Sequence, residues 1–501
     1  MVDSNVPTPT PARPVERGDL AKLRATVAAY CTPEATALIE RAYAFAAAAH
    51  AGKQRCSGDP YIIHPIGAAQ QLAEMRLDAT IIAAGLLHDV VEDAGIPIAR
   101  VRERFGEDIA FLVDGVTKIG TVRLHGEQRY IENLRKMFVA MAQDIRVIII
   151  KFCDRIHNLE TLTYVPEHKR LRIAQESLEI HAPIANRLGM MEIKTQLEDL
   201  AFPFIAPDDA AWVNTLIAET YDERRAQCTA LRTTLTELLT QGGIRIIGTS
   251  ARMKGKYSLY KKLQLHERDI TRIYDIVALR VIIEDITTCY AVLSAIHQHW
   301  KPVRGRIKDY IANPKMNGYH SIHTTVVTDD GAYVEFQIRT PQMHEEAEWG
   351  AAAAWRYHER GTYHAPNKQV AWVDSLIHWQ RSVDDPHDFL AGLKTEVFRD
   401  RILLFTPRGD VIDLPEGATP LDFAYQIHTD VGNRTIGARV NGHAALHPLD
   451  RPLNSGDIVE IITDPKRKGP SQDWLHIVRT THARSKIKEA LRVQLRHHAA
   501  R

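Results

Sequence analysis

The sequence lacks the cysteine pairs that mark a disulfide framework or a structural zinc site. Its five cysteines are scattered through 501 residues without a C-x-x-C pair: Cys31, Cys56, Cys153, Cys228 and Cys289. Disulfides form in oxidising compartments and are rare in reducing ones, so this pattern favours a reducing environment. We therefore expect a cytoplasmic protein.

Long apolar runs and an excess of charge are also missing. No segment reaches the roughly 20 apolar residues that a membrane-spanning helix needs. The 63 basic and 62 acidic residues leave a formal net charge of +1, so any attraction to nucleic acid or membranes has to be local. Residues 1–18 contain four prolines and no signal-peptide core, which predicts a disordered tail.

The remaining composition is that of a globular protein with several domains. Hydrophobic residues make up 45% and charged residues 25% of the chain, and a chain of this length usually forms roughly three or four domains. Apolar residues recur at helical spacing from 19 to 205, which predicts an all-α domain. Residues 206–240 read as a helical connector.

Strand patterns begin after the connector. Three segments are predicted strands among helices at 256–265 and 287–300, and together they indicate a mixed α/β domain over 241–365: Ala278–Ile283, Ile322–Val327 and Ala332–Arg339. We assign 366–398 to a helical linker, 399–464 to a small β-rich module, and 465–501 to a basic linker and the start of a helical region. The predicted fold class is multidomain α+β.

One apolar helix, predicted over residues 81–94, carries four ionisable residues. Its His88-Asp89 pair is followed one helical turn later by Glu92-Asp93, so the two pairs share neighbouring rows of the helix. Such groups are costly to bury without a partner, and a metal ion would supply one. The alternative is a helix with a solvated acidic face.

Two further ligand-type residues, His64 and Asp154, lie outside this helix. With His88 and Asp89 they make two imidazoles and two carboxylates, which suit Mn²⁺ or Fe²⁺ with open positions better than structural Zn²⁺. Such an ion activates water for attack on phosphorus, and a carboxylate one turn away can orient that water or act as general base. Spacing alone does not bring His64 and Asp154 to the same ion.

A second set of residues, basic and acidic, lies in the mixed α/β domain. Arg252-Met-Lys254 and Tyr260-Lys-Lys262 supply the cations that polyphosphate binding needs. Asp275 begins an apolar strand, and period-two alternation predicts one polar face on a later strand: Tyr333, Glu335, Gln337 and Arg339. One carboxylate could hold Mg²⁺ while the other prepares a hydroxyl nucleophile. A merely solvated strand face is the alternative.

Three motifs of the helical domain resemble the HD-superfamily phosphohydrolase domain of RelA/SpoT homologues: His64-Pro65, His88-Asp-Val-Val-Glu-Asp93 and Asp154-Arg-Ile-His-Asn158. That family hydrolyses the 3′-diphosphate of guanosine tetra- and pentaphosphate, (p)ppGpp, with Mn²⁺. The resemblance implies four metal ligands: His64, His88, Asp89 and Asp154. It also implies that Glu92 and Asp93 serve the attacking water, and that Arg55 and Asn158 lie beside the substrate nucleotide. Because the set is complete, we expect the domain to be active.

The segment from Arg304 to Thr324 resembles the core of the (p)ppGpp synthetase domain of the same family. That domain transfers the β,γ-pyrophosphate of ATP to the 3′-hydroxyl of GDP or GTP. The resemblance implies that Asp275 binds Mg²⁺, that Glu335 activates the 3′-hydroxyl and that Tyr319 stacks on guanine. It places Arg252, Lys254 and Lys262 at the ATP phosphates, and Lys315, Asn317 and His323 at the acceptor site.

Residues 405–428 resemble a TGS domain, a small β-grasp-like module. In long members of the family this module contacts the 3′ end of tRNA on the ribosome, and His428 lies at the matching position. The alternative is a module that only packs, with His428 simply exposed. The chain ends soon after Gln472-Asp-Trp474, so the C-terminal zinc-finger-like and ACT regions of long members would be missing, whether the protein is naturally short or a fragment.

We therefore expect a bifunctional (p)ppGpp synthetase and hydrolase, with Mn²⁺ in the hydrolase site and Mg²⁺ in the synthetase site. Its expected partners are ATP, GDP or GTP, (p)ppGpp and, through the TGS module, uncharged tRNA and the ribosome; the oligomeric state is left open. One alternative is a hydrolase whose synthetase half only binds nucleotide. Another is a ribosome- or tRNA-binding regulator.

Overall fold

The computed structural model describes residues 19–120, 126–315, 317–329, 331–359, 401–467 and 469–499. Two compact units are formed: the first holds the described residues up to Glu359, and the second holds those from Arg401 onwards. The predicted tail, the predicted linker at 366–398 and Lys468 of the basic linker lie outside the described residues. Within those ranges, no helix combines the length and the apolar character that crossing a bilayer would take.

The first part of unit one is helical, as the spacing of apolar residues predicts. The first five helices are α1 Leu20–Ala28, α2 Pro33–Ala49, α3 Ile63–Glu74, α4 Ala79–Leu87 and α5 Ile98–Phe105. The next six are α6 Glu107–Gly120, α7 Gly126–Gln143, α8 Ile145–Glu160, α9 Glu167–Glu176, α10 Ala182–Arg187 and α11 Met191–Ile205. A 3₁₀ turn (Leu162–Tyr164) and a π turn (Ser177–His181) interrupt the series. The core is formed where α3, α4 and α8 pack together, and each of these three helices is buried along most of its length.

The predicted connector is one long helix, α12, from Pro207 to Gln241. Proline is favoured in the first helical turn, where its missing N–H leaves no bond unmade. The chain then turns through Gly242 and Gly243, the latter with φ of 71°. Three leucines of α12 join the apolar core under the sheet that follows: Leu231, Leu235 and Leu239.

The mixed α/β part contains a six-stranded sheet in the order β1-β2-β6-β5-β3, with β4 also paired to β5. Its strands are β1 Ile246–Met253, β2 Val277–Ile283, β3 Lys301–Pro302, β4 Lys308–Asp309, β5 Ile322–Val327 and β6 Tyr333–Arg339. The neighbours β2 and β6 are parallel and the other pairs are antiparallel. Its helices are α13 Lys256–Leu265, α14 Ile286–His299, α15 Pro341–Trp349 and α16 Ala351–Glu359.

Strand β1 was not predicted from the sequence. It is an edge strand whose residues Ile246–Met253 include Gly248 and few buried apolar side chains, so it carries little of the alternation on which the prediction of strands depends. Pairing with the apolar β2 holds it in place.

The polar face of β6 is buried at its C-terminal end, which corrects the alternative of a solvated face. Gln337 is 5% exposed and Arg339 is fully buried. The cover includes α15, whose Glu348 accepts a 2.9 Å hydrogen bond from Arg280 of β2 and lies 3.8 Å from Arg339. The period-two alternation therefore predicts correctly which side chains of β6 share a face, but it cannot show that a helix covers that face.

After β6 the chain forms α15 from Pro341, and the helical stretch is broken at Gly350 before α16 begins. Gly350 has φ of 48°, and a Cβ at this position would lie 2.2 Å from the carbonyl oxygen of Leu188. The next amide, that of Ala351, donates to the same oxygen at 2.8 Å. Glycine is thus required at position 350, where the mixed α/β part contacts the helical part.

The second unit contains two strand pairs and four helices in its described residues. The strands are β7 Arg401–Phe405, β8 Val411–Pro415, β9 Thr435–Val440 and β10 Val459–Thr463; β7 pairs with β8, and β9 with β10. The helices are α17 Pro420–Ile427, α18 Thr429–Arg434, α19 Trp474–Ile477 and α20 Thr481–Ala499. These four strands agree with the β-rich module predicted from the sequence.

The close approach at Gly350 can be tested against a matched glycine. Gly350 and Gly106 are both helix C-caps with positive φ, but a Cβ at Gly106 would meet nothing within 4 Å. Gly106→Ala should lower the free energy of unfolding by about 1–3 kcal/mol through backbone strain alone, because its φ of 90° with ψ of 172° is a conformation open essentially only to glycine. Gly350→Ala should lose about 1–3 kcal/mol more, because the methyl group meets backbone. Chemical denaturation followed by circular dichroism measures both, and equal losses would contradict the contact with Leu188.

Candidate active sites

The first cluster of ionisable residues lies where α3, the end of α4 and α8 meet. His64, His88 and Asp154 are all buried, and one ligand atom from each lies within 4.8 Å of the others. Asp89 completes the group, because its carboxylate is 3.4 Å from His64 Nε2 and 3.1 Å from His88 Nε2. The structure therefore brings together the four residues that the sequence proposes as metal ligands.

The chemistry of this cluster fits a cation. His88 Nδ1 donates to the carbonyl of Gly85 at 2.8 Å, so in the neutral ring the lone pair is on Nε2. Among the described residues that buried nitrogen has no hydrogen bond of good geometry, and it faces Asp89 Oδ1 at 3.1 Å. Although burial opposes the charged form, the Asp89 carboxylate raises the pKa of His88 to about 9. A lone pair facing a carboxylate is repulsive unless a proton or a metal ion lies between them.

Both carboxylates of the cluster are ionised. Burial alone would raise their pKa values, but the imidazole of His88 lowers the pKa of Asp89, and the ammonium of Lys151 lowers that of Asp154, well below the usual range. Lys151 Nζ is 2.7 Å from Asp154 Oδ2. Metal ligands have to be deprotonated, and these two carboxylates are.

The helix of the sequence motif is shorter than predicted. It ends at Leu87, and residues 88–94 form turns, so Glu92 and Asp93 are not on a continuous α-helix with His88. One helical hydrogen bond survives, from the Asp93 amide to the Asp89 carbonyl at 2.9 Å. Asp89 and Asp93 therefore still lie one above the other, as predicted. The side chain of Glu92 is exposed, although partial desolvation beside the cluster raises its pKa.

Tyr61 lies at the junction of these acidic residues, and the sequence did not identify it. Its hydroxyl is 2.9 Å from Asp89 Oδ2 and is also hydrogen-bonded to Asp93. Burial and the adjacent carboxylates raise the pKa of Tyr61, which keeps the hydroxyl proton available to them. Lys151 was missed as well, although its spacing of three residues from Asp154 on α8 could have indicated the pair.

The two residues predicted beside the nucleotide are in contact with each other. Arg55 Nη2 donates to Asn158 Oδ1 at 2.8 Å, and Asn158 Nδ2 donates to Asp154. Thr161 Oγ1 lies 3.4 Å from the same guanidinium nitrogen. Arg55 and Asn158 thus line the cluster directly next to Asp154.

The second cluster begins beside the six-stranded sheet, where β1 ends at Met253 and β2 begins at Val277. Asp275 Oδ2 accepts from Lys254 Nζ at 2.8 Å and from Lys262 Nζ at 2.5 Å. Although burial opposes it, the charge of Lys254 lowers the pKa of Asp275 to about 2. Burial lowers the pKa of Lys254 to about 8. Arg252 lies on β1, two residues before Lys254. The predicted phosphate-binding lysines and the predicted metal ligand are therefore together, and the lysines occupy one carboxylate oxygen.

A chain of hydrogen bonds joins Tyr319 to Glu335. The Tyr319 hydroxyl is 2.7 Å from His323 Nε2, and His323 Nδ1 is 3.2 Å from Glu335 Oε1. Gln337 Nε2 donates to the same carboxylate at 2.8 Å. Burial alone would raise the pKa of Glu335. The pKa is nevertheless lowered, because the hydrogen bonds from His323 and Gln337 together outweigh burial.

The predicted guanine platform is nearly closed. Tyr319 is 9% exposed, and Lys315 Nζ lies over its ring, 5.4 Å from the centroid. Asn317 contacts the helical part, because its Nδ2 donates to the Asn186 carbonyl at 3.1 Å. Two buried guanidiniums also lie on the polar face of the sheet and interact electrostatically with Tyr319: Arg339, which the alternation placed there, and Arg280, which the sequence did not identify.

The predicted tRNA contact, His428, is a surface residue of the second unit. Its side chain is 67% exposed, and Nδ1 accepts from the Asp430 amide at 3.2 Å at the start of α18. One ring nitrogen is therefore engaged within the module, while the rest of the exposed ring is accessible to a partner.

Three family models match the chain. They are the HD domain at 42–191, the region found in RelA / SpoT proteins at 251–362, and the TGS domain at 402–463. These matches confirm the three modules and the multidomain α+β fold predicted from the sequence. The HD and synthetase modules also imply the use of a divalent metal ion.

Named relatives cover nearly the whole chain. The GTP pyrophosphokinase of Myxococcus xanthus is 43% identical across 94% of this chain and 62% of its own length. The bifunctional (p)ppGpp synthase/hydrolase SpoT of Escherichia coli is 43% identical across 91% and 64%. The chain therefore spans less than two thirds of the length of these relatives.

A solved structure, the small alarmone synthetase 1 of Bacillus subtilis bound to its product pppGpp, is also similar to part of the chain. It is 21% identical and covers 34% of this chain and 95% of that one, with a TM-score of 0.23. So low a score carries no argument about the present chain.

The buried ion pair of the first cluster predicts a large effect on stability. Lys151→Met should lower the free energy of unfolding of the metal-free protein by about 3–5 kcal/mol, because it leaves the Asp154 carboxylate buried without its ammonium partner. Lys118→Met breaks an exposed pair with Asp114 and should cost less than about 1 kcal/mol. Denaturant titration of the three proteins measures the difference. Comparable losses from the two substitutions would show that Lys151 does not neutralise a buried charge.

Proposed function

Because the chain belongs to the RelA/SpoT family, we propose that it both makes and removes (p)ppGpp. It would transfer pyrophosphate from ATP to the 3′-hydroxyl of GDP or GTP, and hydrolyse the 3′-diphosphate of the product to GDP or GTP and pyrophosphate. The observation that carries this proposal is the presence, in one compact unit, of two separate clusters of ionisable side chains with the groups that each reaction needs. We assign the hydrolase to residues 19–205, the synthetase to 241–365 and the TGS module to 399–464.

In the hydrolase, His64, His88, Asp89 and Asp154 would hold Mn²⁺, which activates water for attack on phosphorus. Glu92 is the proposed general base, since its side chain is open to solvent and partial desolvation raises its pKa, which makes the carboxylate a stronger base. Asp93, fixed by Tyr61, orients the water. Attack on the phosphorus that bears the 3′-oxygen breaks that P–O bond, and the 3′-oxygen takes up a proton.

The substrate nucleotide of the hydrolase would lie against Arg55 and Asn158. The guanidinium of Arg55 suits a phosphate oxygen, which it can bind with two parallel N–H groups. Asn158 already spans Arg55 and Asp154, so it links substrate binding to a metal ligand. The proximity of these two side chains to the cluster supports this part of the proposal.

In the synthetase, Arg252, Lys254 and Lys262 would bind the ATP phosphates, and Asp275 would hold Mg²⁺, which offsets the phosphate charge. The two lysines now engaged by Asp275 have to turn to the phosphates, which frees the carboxylate for the ion. Glu335 takes the proton of the 3′-hydroxyl of the acceptor, and the 3′-oxygen attacks the β-phosphorus of ATP. The bond from that phosphorus to the α,β-bridging oxygen breaks, and AMP leaves.

The acceptor nucleotide would stack on Tyr319, with Lys315, Asn317 and His323 around it. Lys315 now lies over the tyrosine ring, where it has a cation–π contact in place of a base. Stacking of guanine therefore requires Lys315 to move off the ring, and a phosphate of the same nucleotide would receive it. In the TGS module, His428 offers an exposed imidazole edge for a tRNA 3′ end, with the ribosome as the site of that contact.

A second candidate function is a hydrolase whose synthetase half only binds nucleotide. The nearly buried ring of Tyr319 and the occupied Asp275 favour it, since both groups would have to be released before transfer. This candidate predicts guanine-nucleotide binding without the formation of AMP from ATP.

Paired substitutions test the two activities in one preparation. Asp89→Asn should lower hydrolysis at least about 100-fold and leave synthesis intact; Glu335→Gln should do the reverse, because each removes a group from only one site. Release of GDP and pyrophosphate from ppGpp, and of AMP from ATP plus GDP, are measured by ion-exchange chromatography. If wild type forms no AMP yet binds GDP, the second candidate is correct.

Metal removal and replacement test the proposed ions. After treatment with a chelator both activities should fall to background, because each site depends on a cation to balance charge. Mn²⁺ should restore hydrolysis and Mg²⁺ should restore synthesis. Full hydrolysis with Mg²⁺ alone would refute the assignment of Mn²⁺ to the first cluster, whose two imidazoles favour the softer ion.

A further inference from the structure

The packing of α3 against α8 places a third imidazole against the metal cluster. His157 is 3% exposed, and its Nδ1 lies 3.0 Å from the Nδ1 of His64. His157 follows Asp154 by three residues on α8, so both face the same side. The other nitrogen of His64, Nε2, faces the carboxylates of Asp154 and Asp89 at 3.3 and 3.4 Å.

Gly67 makes the space that His157 occupies. It follows His64 by three residues on α3, and a Cβ at this position would lie 2.1 Å from His157 Cδ2 and 2.7 Å from its Nε2. The glycine has no positive φ, so its backbone conformation does not demand glycine. The absence of a side chain at Gly67 therefore serves the ring of His157.

The hydrogen bond between the two rings sets which nitrogen of His64 carries the proton. For His64 to bind a metal through Nε2, that nitrogen has to present its lone pair, and the proton has to be on Nδ1. Nδ1–H then donates to His157 Nδ1, which accepts. Metal-bound histidines usually donate this second N–H to a carboxylate, a carbonyl or water, as His88 does to Gly85. His64 instead meets a neighbouring ring.

We propose that His157 is a positioning residue of the hydrolase site, which accepts the Nδ1 proton of His64 and so holds Nε2 toward the metal. The inference rests on the proposed metal-dependent hydrolase. It assigns no contact with substrate or ion to His157, and it explains why a glycine is at position 67, where alanine would otherwise suit a helix better by about 0.5–1 kcal/mol.

Binding of Mn²⁺ to the full chain tests the proposal without reference to turnover. Free Mn²⁺ is followed by its electron paramagnetic resonance signal as metal-free protein is added. His157→Leu removes the acceptor and should weaken binding about 10- to 100-fold, the usual effect of losing such a partner. His157→Asn puts an amide oxygen close to the place of Nδ1 and should recover most of the affinity, which a purely structural role would not predict.

A pair of glycine substitutions gives a second, independent test. Gly67→Ala leaves every proposed ligand in place but displaces His157, so it should weaken Mn²⁺ binding as His157→Leu does. Gly115→Ala is the matched control, because its Cβ would lie 2.8 Å from Val147 of the same helix α8, far from the rings in sequence. That variant should bind Mn²⁺ as wild type does, even if it melts at a lower temperature.

The outcomes separate this inference from the proposal on which it rests. If wild type does not bind Mn²⁺, the metal-dependent hydrolase is refuted. If wild type binds and His157→Leu binds equally well, the hydrolase stands and the role of His157 is wrong. Equal losses in Gly67→Ala and Gly115→Ala would also overturn it, because they would show a general effect of disturbing α8.

Discussion

Two carboxylates that stay ionised inside a helical core, Asp89 and Asp154, constrain the structure around the first site. A buried charge without partners is too costly for a protein to hold, so donors have to come from several elements at once. Lys151 comes from the same helix as Asp154, Tyr61 from the loop before α3, and the imidazoles from α3 and the end of α4. Packing of apolar faces brings these elements together, and the buried charges then determine which side chains pair with each other.

Hydrogen bonds to a carboxylate also join the helical part and the mixed α/β part of the first unit. The carboxylate of Asp199, on α11, accepts from the amides of Lys256 and Tyr257 at the start of α13. Helix N-termini favour negative charge, because their first amides have no partner within the helix. Since α13 carries Lys262, a helix of the all-helical part positions a lysine that the proposed synthetase would use to bind phosphate. Asn317, bonded to the carbonyl of Asn186, makes a second connection of this kind.

Much of this arrangement could be predicted from the sequence. Ligand-type residues in an apolar setting indicated the first cluster, and cations near acidic strand residues indicated the second. What could not be predicted depends on contacts between distant segments. Nothing in the spacing of His88 and Glu92 shows that α4 ends at Leu87, and nothing near Arg339 shows that α15 covers it. His157 reads as an ordinary helix residue until Gly67, ninety positions earlier in the chain, is placed against it.

The second cluster holds its functional groups in pairs with one another. Lys254 and Lys262 engage Asp275, His323 engages Glu335, and Lys315 lies over Tyr319. Each of these groups has a role in the proposed reactions that its present partner would block. The internal pairs avoid unpaired charge before ligands arrive, because burying a lone ion costs more than burying a pair.

Ligand binding in the proposed synthetase is therefore an exchange of partners. In that proposal ATP phosphates would replace Asp275 at the lysines, and the carboxylate would then be free for an ion. Binding breaks the existing ion pairs of the two lysines, and a ligand without a polyphosphate offers no charge to replace them. Selectivity for a nucleotide with its phosphates follows from the occupied state of the site itself, and it needs no separate contact to reject a nucleoside.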